Sequence, residues 1–225
     1  MRHARVIPIF VFCGLVAANA WGHKPVIVDG GATGPESAYE IEDVSVSQVG
    51  YHIVTPQAPE LWFTFEAEAG QELHLELGVP EIARFEGLRP AMVLLGPGLP
   101  PVDLPFDVPG ELGGIVYDTE GVEPERFDEQ FTGTASWKWP AESPVVQQTG
   151  RHYAVAYLPR TDTGKLWMAI GTAESFGFSD ILSLPSTLFG VRAFHEVGPV
   201  GGILFWAMAA FFVLLLFLVQ FLFRI

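Results

Sequence analysis

Leu61-Trp62-Phe63-Thr64-Phe65-Glu66-Ala67, continued through Ala69-Gly70 into Glu72-Leu73-His74-Leu75-Glu76-Leu77, is the stretch that decides the fold. In the first run Leu61, Phe63, Phe65 and Ala67 share one face, while Thr64 and Glu66 take the other. In the second, three leucines alternate with Glu72, His74 and Glu76. A repeat of two residues is the period of a half-buried strand, so two strands are predicted on either side of a glycine turn.

The same texture extends outward. Residues 41–49 alternate through Ile41, Val44 and Val46. Residues 91–95 form a short apolar run that ends in Gly96-Pro97-Gly98, a turn. Residues 152–158 and 166–171 read as a hairpin across the loop 160–165. Short strands at this spacing, punctuated by Gly and Pro, predict a mainly β sandwich or barrel. Residues 97–144 are proline-rich and less regular, an excursion from the sandwich with a short helix expected at 123–131. Phe127, Phe131, Trp137 and Trp139 are expected to cover an edge or floor a pocket there.

Both ends of the chain carry transport signals. Arg2 and Arg5 precede an apolar run over residues 6–18, too short to cross a bilayer, with small residues after it. These are the parts of a secretory signal peptide, expected over residues 1–22 and cut after Ala20 or after Gly22. At the other end residues 200–223 hold no charge. As a helix that length reaches ~36 Å, enough for a hydrocarbon core of ~30 Å. Arg224 beyond it favours a cytoplasmic far side. One transmembrane helix, at 198–225, is therefore expected to follow an exported domain at 23–178. Between them residues 179–197 place Leu184, Leu188, Val191 and Phe194 or His195 at near-helical spacing. Asp180 suits a first cap, Pro185 the start of a second helix, and Gly198-Pro199 its break. An amphipathic segment on the outer leaflet or against a partner subunit is predicted.

Charge narrows the partners. The exported stretch holds all 26 acidic residues against nine basic ones (12 less Arg2, Arg5 and Arg224), a formal charge of −17. A surface this acidic repels nucleic acid and anionic head groups. Cys13 would leave with the signal, so disulfides and thiolate chemistry are excluded from the mature domain. Asn19 is the only asparagine, so the domain offers no glycosylation site. A bacterial exported protein fits that usage.

Several segments together resemble one family. Trp62-Phe63-Thr64-Phe65, Ala69-Gly70-Gln71, Leu73-His74-Leu75-Glu76-Leu77, Leu94-Leu95-Gly96-Pro97-Gly98 and Thr149-Gly150-Arg151-His152-Tyr153-Ala154-Val155 are similar to bacterial pre-peptidase C-terminal (PPC-like) domains. The resemblance covers roughly residues 41–171, with an insertion near 100–145. It implies a jelly-roll-like antiparallel sandwich with an accessory or binding role. Where the family often carries an acidic strand before its Gly-Pro turn, Arg89-Pro90-Ala91-Met92 stands here.

No catalytic signature is present. There is no Gly-x-Ser-x-Gly elbow, and Gly30-Gly31-Ala32-Thr33-Gly34 lacks the Lys-Ser/Thr ending of a phosphate loop. A metal reading has two candidates. His74 with Glu72 and Glu76 shares one strand face, at ~6.6 Å between alternate side chains. His23, if it is the mature N-terminus, offers an amine and an imidazole to a copper-like ion. The leading expectation is a non-catalytic, single-pass accessory or interaction subunit in the bacterial cytoplasmic membrane, its domain in the periplasm. Its partners are then the lipid bilayer and the subunits of a membrane complex. The alternative is an extracytoplasmic module binding carbohydrate or a copper or calcium ion.

Overall fold

The computed structural model describes residues 24–28, 31–161, 163–175 and 178–198, together with 211, 212, 214, 215, 218 and 220. The expected signal peptide, His23 and most of the expected span lie outside them. Among the described residues no helix is long and apolar enough to cross a membrane.

Among the described residues eleven strands form two facing sheets. In chain order they are β1 Lys24–Ile27, β2 Tyr39–Glu40, β3 Gln48–Val54, β4 Glu60–Ala67, β5 Leu75–Pro80 and β6 Ala91–Gly96. They continue as β7 Gly113–Asp118, β8 Glu125–Glu129, β9 Thr134–Lys138, β10 Gly150–Tyr157 and β11 Gly164–Ile170, before the helix α1 at Phe178–Phe194. One sheet runs β1-β3-β11-β5-β9-β8 and the other β2-β4-β10-β6-β7. β1 pairs with β3, and β2 with β4, in parallel, and every other pairing is antiparallel. The sandwich is therefore mixed at one edge of each sheet.

The period-two reading of the central stretch holds. Leu61, Phe63 and Phe65 of β4 meet Leu75 and Leu77 of β5 in the core between the sheets. Leu73, ahead of β5, joins them. Met92, Leu94, Ala154, Ala156, Leu166, Met168 and Ile170 complete that layer at every second position of β6, β10 and β11. Burial of each large side chain contributes ~1.5–3 kcal/mol against leaving it in water.

Four local expectations need correction. Residues 41–47 are not a strand, although Ile41 and Val44 are buried. Asp43 accepts both the N–H and the O–H of Ser45, at 2.9 and 2.7 Å, and this local turn replaces strand pairing. The segment 123–131 is no helix: β8 pairs antiparallel with β9 and closes the sheet edge. β10 and β11 are not a hairpin. Each is central in a different sheet, with both edges already occupied, so the two strands lie in different layers. The excursion 97–144 belongs to the sandwich, because it supplies β7, β8 and β9.

Both outer faces are covered too. Trp62, Val93, Val155 and Tyr157 point away from the core and lie under Val102, Leu104 and Phe106 of the proline-rich loop. On the opposite side Val49, Trp167 and Ala169 lie under Phe194 of α1. Gly190 of α1 comes close against Ile27 of β1. The segment read as a membrane collar thus packs on the domain's own sheet, as a single helix that runs through Pro185.

Gly78 sets the place of one outer side chain. A Cβ there would sit 2.2 Å from Cζ2 of Trp167, so the indole lies flat across β5 only because the position is glycine. Gly78→Val is expected to destabilise the domain by ~1–3 kcal/mol, the usual cost of overpacking, read as a lower urea midpoint.

Candidate functional site

The most elaborate polar arrangement is the junction where α1 ends on the six-stranded sheet. β9 brings Ser136, β11 brings Lys165 and Trp167, and the chain after α1 brings His195 and Glu196. Trp167 Nε1–H donates to Ser136 Oγ at 3.0 Å across Gly78. Ser136 Oγ lies 3.1 Å from His195 Nε2, and His195 Nδ1 lies 2.9 Å from the Val191 carbonyl oxygen. A carbonyl can only accept, so Nδ1 carries the proton and Nε2 accepts from the serine hydroxyl. The chain of donors is thereby fixed from indole to helix.

This serine–histidine pair is a lock rather than a nucleophile. Ser136 is 4% exposed and His195 6%, and the cavity beside them holds only about 20 Å³, near the size of a single water. Burial holds the His195 pKa down to about 4, with the Lys165 charge acting the same way. Tyr51 closes the site, edge-on to Phe194 at 5.1 Å and to His195 at 5.8 Å. Burial pushes its phenol well up, so it stays neutral.

α1 ends in an uncommon way. The Val197 N–H reaches the Arg192 carbonyl at 3.0 Å and the Glu196 N–H the Ala193 carbonyl at 3.1 Å. Those two bonds make a Schellman motif, whose left-handed position is usually glycine. Glu196 occupies it here, at φ +57. The expected break at Gly198-Pro199 therefore comes earlier, at Glu196. The reason is the carboxylate. Arg84, from the short 3-10 turn Ala83–Phe85, grips Glu196 with two nitrogens. Lys165 Nζ donates to Glu196 Oε1 at 2.8 Å and to the Phe194 carbonyl at 2.6 Å. The Arg84 and Lys165 bonds hold the Glu196 carboxyl down to about 2. Arg192 completes the clamp, donating to the Thr132 carbonyl at 2.6 Å and to the Gly198 carbonyl at 2.7 and 2.9 Å.

The residues singled out for metal binding lie elsewhere. Glu72 is exposed and His74 half-buried ahead of β5, while Glu76 is buried on β5. Glu76 is taken by Lys138 of β9, at 2.8 Å. Among the described residues no group of three or more His, Cys, Asp or Glu could hold a metal ion. The remaining histidines of the sandwich, His52 and His152, are buried and bonded to the Ala58 and Gly150 carbonyls, each at 2.9 Å. Of the four aromatics in the excursion, Trp139 is in the core and donates to the Val122 carbonyl, whereas Phe131 is exposed.

Comparison with known proteins adds little to this geometry. No protein-family model and no curated protein matches the sequence. A solved structure similar to this chain is the pre-peptidase C-terminal domain of a collagenase from Bacillus anthracis. It is 12% identical, with a TM-score of 0.30, over 61% of this chain and 96% of that one. The sandwich itself rests on the strand pairing given above.

Acid should loosen the lock. The folded pKa of His195, about 4, lies below its ordinary 6.5, so the unfolded chain binds a proton that the folded one refuses. The stability is complete above pH ~6.5 and falls as pH drops toward 4, by ~3 kcal/mol in all. His195→Gln is expected to remove about one proton from the slope of unfolding free energy over that window. Urea titrations at several pH values read it, and an unchanged slope would refute the buried neutral imidazole.

Proposed function

We propose that this chain is a non-catalytic accessory or interaction subunit of a bacterial membrane complex. Its acidic sandwich stands in the periplasm and a single C-terminal helix anchors it in the cytoplasmic membrane. The observation that carries this reading is the clamp at Glu196. It ties the sandwich to the chain four residues before the uncharged stretch 200–223 begins. Four residues span at most ~14 Å, so the domain would be held close over the bilayer in a fixed orientation. A free-swinging catalytic or capture domain has no use for such a junction, whereas a subunit that must present one face to a neighbour does.

The pairing of Ser136 with His195 supports the non-catalytic part of the reading, because both groups are buried and committed to holding the helix. The formal charge of −17 supports a partner with basic surface and disfavours nucleic acid.

Membranes from cells making the full chain should retain it through alkaline carbonate washing. Mild-detergent purification should then bring down other chains in stoichiometric amounts. Release by carbonate would remove the anchor, and a solitary monomer in detergent would remove the accessory role.

A further inference from the structure

Four strands form the edges of the two sheets, β1 and β8 in one, β2 and β7 in the other. An open edge invites a further strand, and natural domains blunt it. Three of these four are blunted. β1 bonds β3 through the Lys24 N–H and turns Pro25, which has no donor, outward. β8 is charged at four of its five positions, Glu125, Arg126, Asp128 and Glu129. β2 is two residues long. β7, Gly113-Gly114-Ile115-Val116-Tyr117-Asp118, carries a charge only at its last position.

The polar groups of β7 alternate in direction. The Gly114 N–H turns away from β6 and donates to the Pro100 carbonyl, at 2.8 Å. Val116 and Asp118 share its parity and face outward too, while Ile115 and Tyr117 bond β6. The Pro100 segment covers the edge at Gly114 and ends there. Beyond it the N–H and C=O of Val116 and the N–H of Asp118 meet no partner among the described residues. Val116 is 39% exposed, and Ile115 and Tyr117 are half-buried on the inner face.

Charge narrows what pairs there. Glu111 precedes the strand, Asp118 ends it, and Glu120 and Glu123 follow. Glu142 lies near enough to act, after burial, in raising the Tyr117 phenol. The cations of neighbouring segments are committed: Arg160 to Glu120, Lys138 to Glu76, and Arg89 to the Glu86 and Leu88 carbonyls. Glu111, Asp118, Glu123 and Glu142 have no ion pair among the described residues. Glu86 and Asp162, the second outside the described residues, are acids and can only add to this excess. A second copy of the chain would bring the same charge to the same place.

We propose that the free half of β7 takes an extended segment of a partner subunit as a further strand, one whose side chains alternate between apolar and basic. The inference rests on the interaction-subunit reading given above. The Val116 N–H and C=O exchange hydrogen bonds with the added strand. Its apolar side chains fall beside Ile115 and Tyr117 on the inner face, and its lysines or arginines beside Asp118 on the outer one.

The test uses the full chain in maltoside micelles, with octapeptides of alternating lysine and valine or alternating glutamate and valine. The lysine peptide is expected to bind at least ~10-fold more tightly than the glutamate one. It should slow exchange of the Val116 and Asp118 amides by ~10-fold or more, and leave Ile115 and Tyr117, already bonded to β6, unchanged. Val116→Pro removes an outward donor and spares the β6 ladder, so it should weaken binding by ~10-fold or more at an unchanged urea midpoint. Asp118→Asn, which still accepts the Glu120 N–H, should weaken it by about 3-fold. The exchange pattern reads the edge without relying on either variant to fold. Equal binding of the two peptides, or an unslowed Val116 amide in the bound state, would overturn the proposal. A dimer of the full chain that Val116→Pro dissolves would overturn the partner strand in favour of a second copy. Detergent purification keeps the two readings apart. Partners that stay bound to Val116→Pro cost only this inference, and a solitary chain that still binds the lysine peptide costs only the accessory role.

Discussion

Glu196 in a left-handed conformation, gripped by Arg84 and Lys165, is the constraint on which the end of this domain depends. A non-glycine residue disfavours that conformation sterically. It persists here because three parts of the chain meet at one carboxylate: the 3-10 turn after β5, the start of β11 and the end of α1. Lys165 also caps the Phe194 carbonyl, so one ammonium serves both the backbone and the side chain of the same turn. Behind it, the run from Trp167 through Ser136 to His195 fixes the helix from the other side. Removing the glycine at position 78 would displace the indole and, with it, the first donor in that run.

The sandwich is unusual in how fully it is wrapped. A two-layer β domain with water on its outer faces needs apolar side chains only inward. Here Trp62, Val93 and Val155 on one outer face and Val49, Trp167 and Ala169 on the other are also buried. The proline-rich loop covers the first set and α1 the second. Proline suits that loop, since it lies over side chains without needing to donate to a ladder. The helix does for the second face what the loop does for the first.

Much of the core was legible from period two alone. Leu61, Phe63 and Phe65, with Leu73, Leu75 and Leu77, are inside as the alternation requires. What failed was pairing, which no local pattern encodes. The loop 160–165 has a hairpin's length, yet β10 is apolar on both faces, as a strand covered on both faces should be. β8 holds Glu and Arg, good helix formers, but cross-strand pairing with β9 decides its state. The site was less legible still. Ser136, Trp167 and His195 are far apart in sequence, and each is an ordinary packing residue alone. Glu196 was hidden by chemistry, because a helix end of this kind ordinarily announces itself with glycine. Of Glu72, His74 and Glu76 only the last lies on β5, where Lys138 from the neighbouring strand pairs with it, and a single strand could not disclose that.

The most direct measurement is hydrogen–deuterium exchange on the full chain in lipid nanodiscs, comparing the amides of residues 187–197 with those of β11. The clamp requires the two sets to be protected alike, and Glu196→Gly to release the first set while β11 stays protected. Glycine takes the left-handed position without steric cost. If Glu196→Gly left residues 187–197 as protected as before, or more so, the carboxylate would be no clamp and the account of the junction would fall.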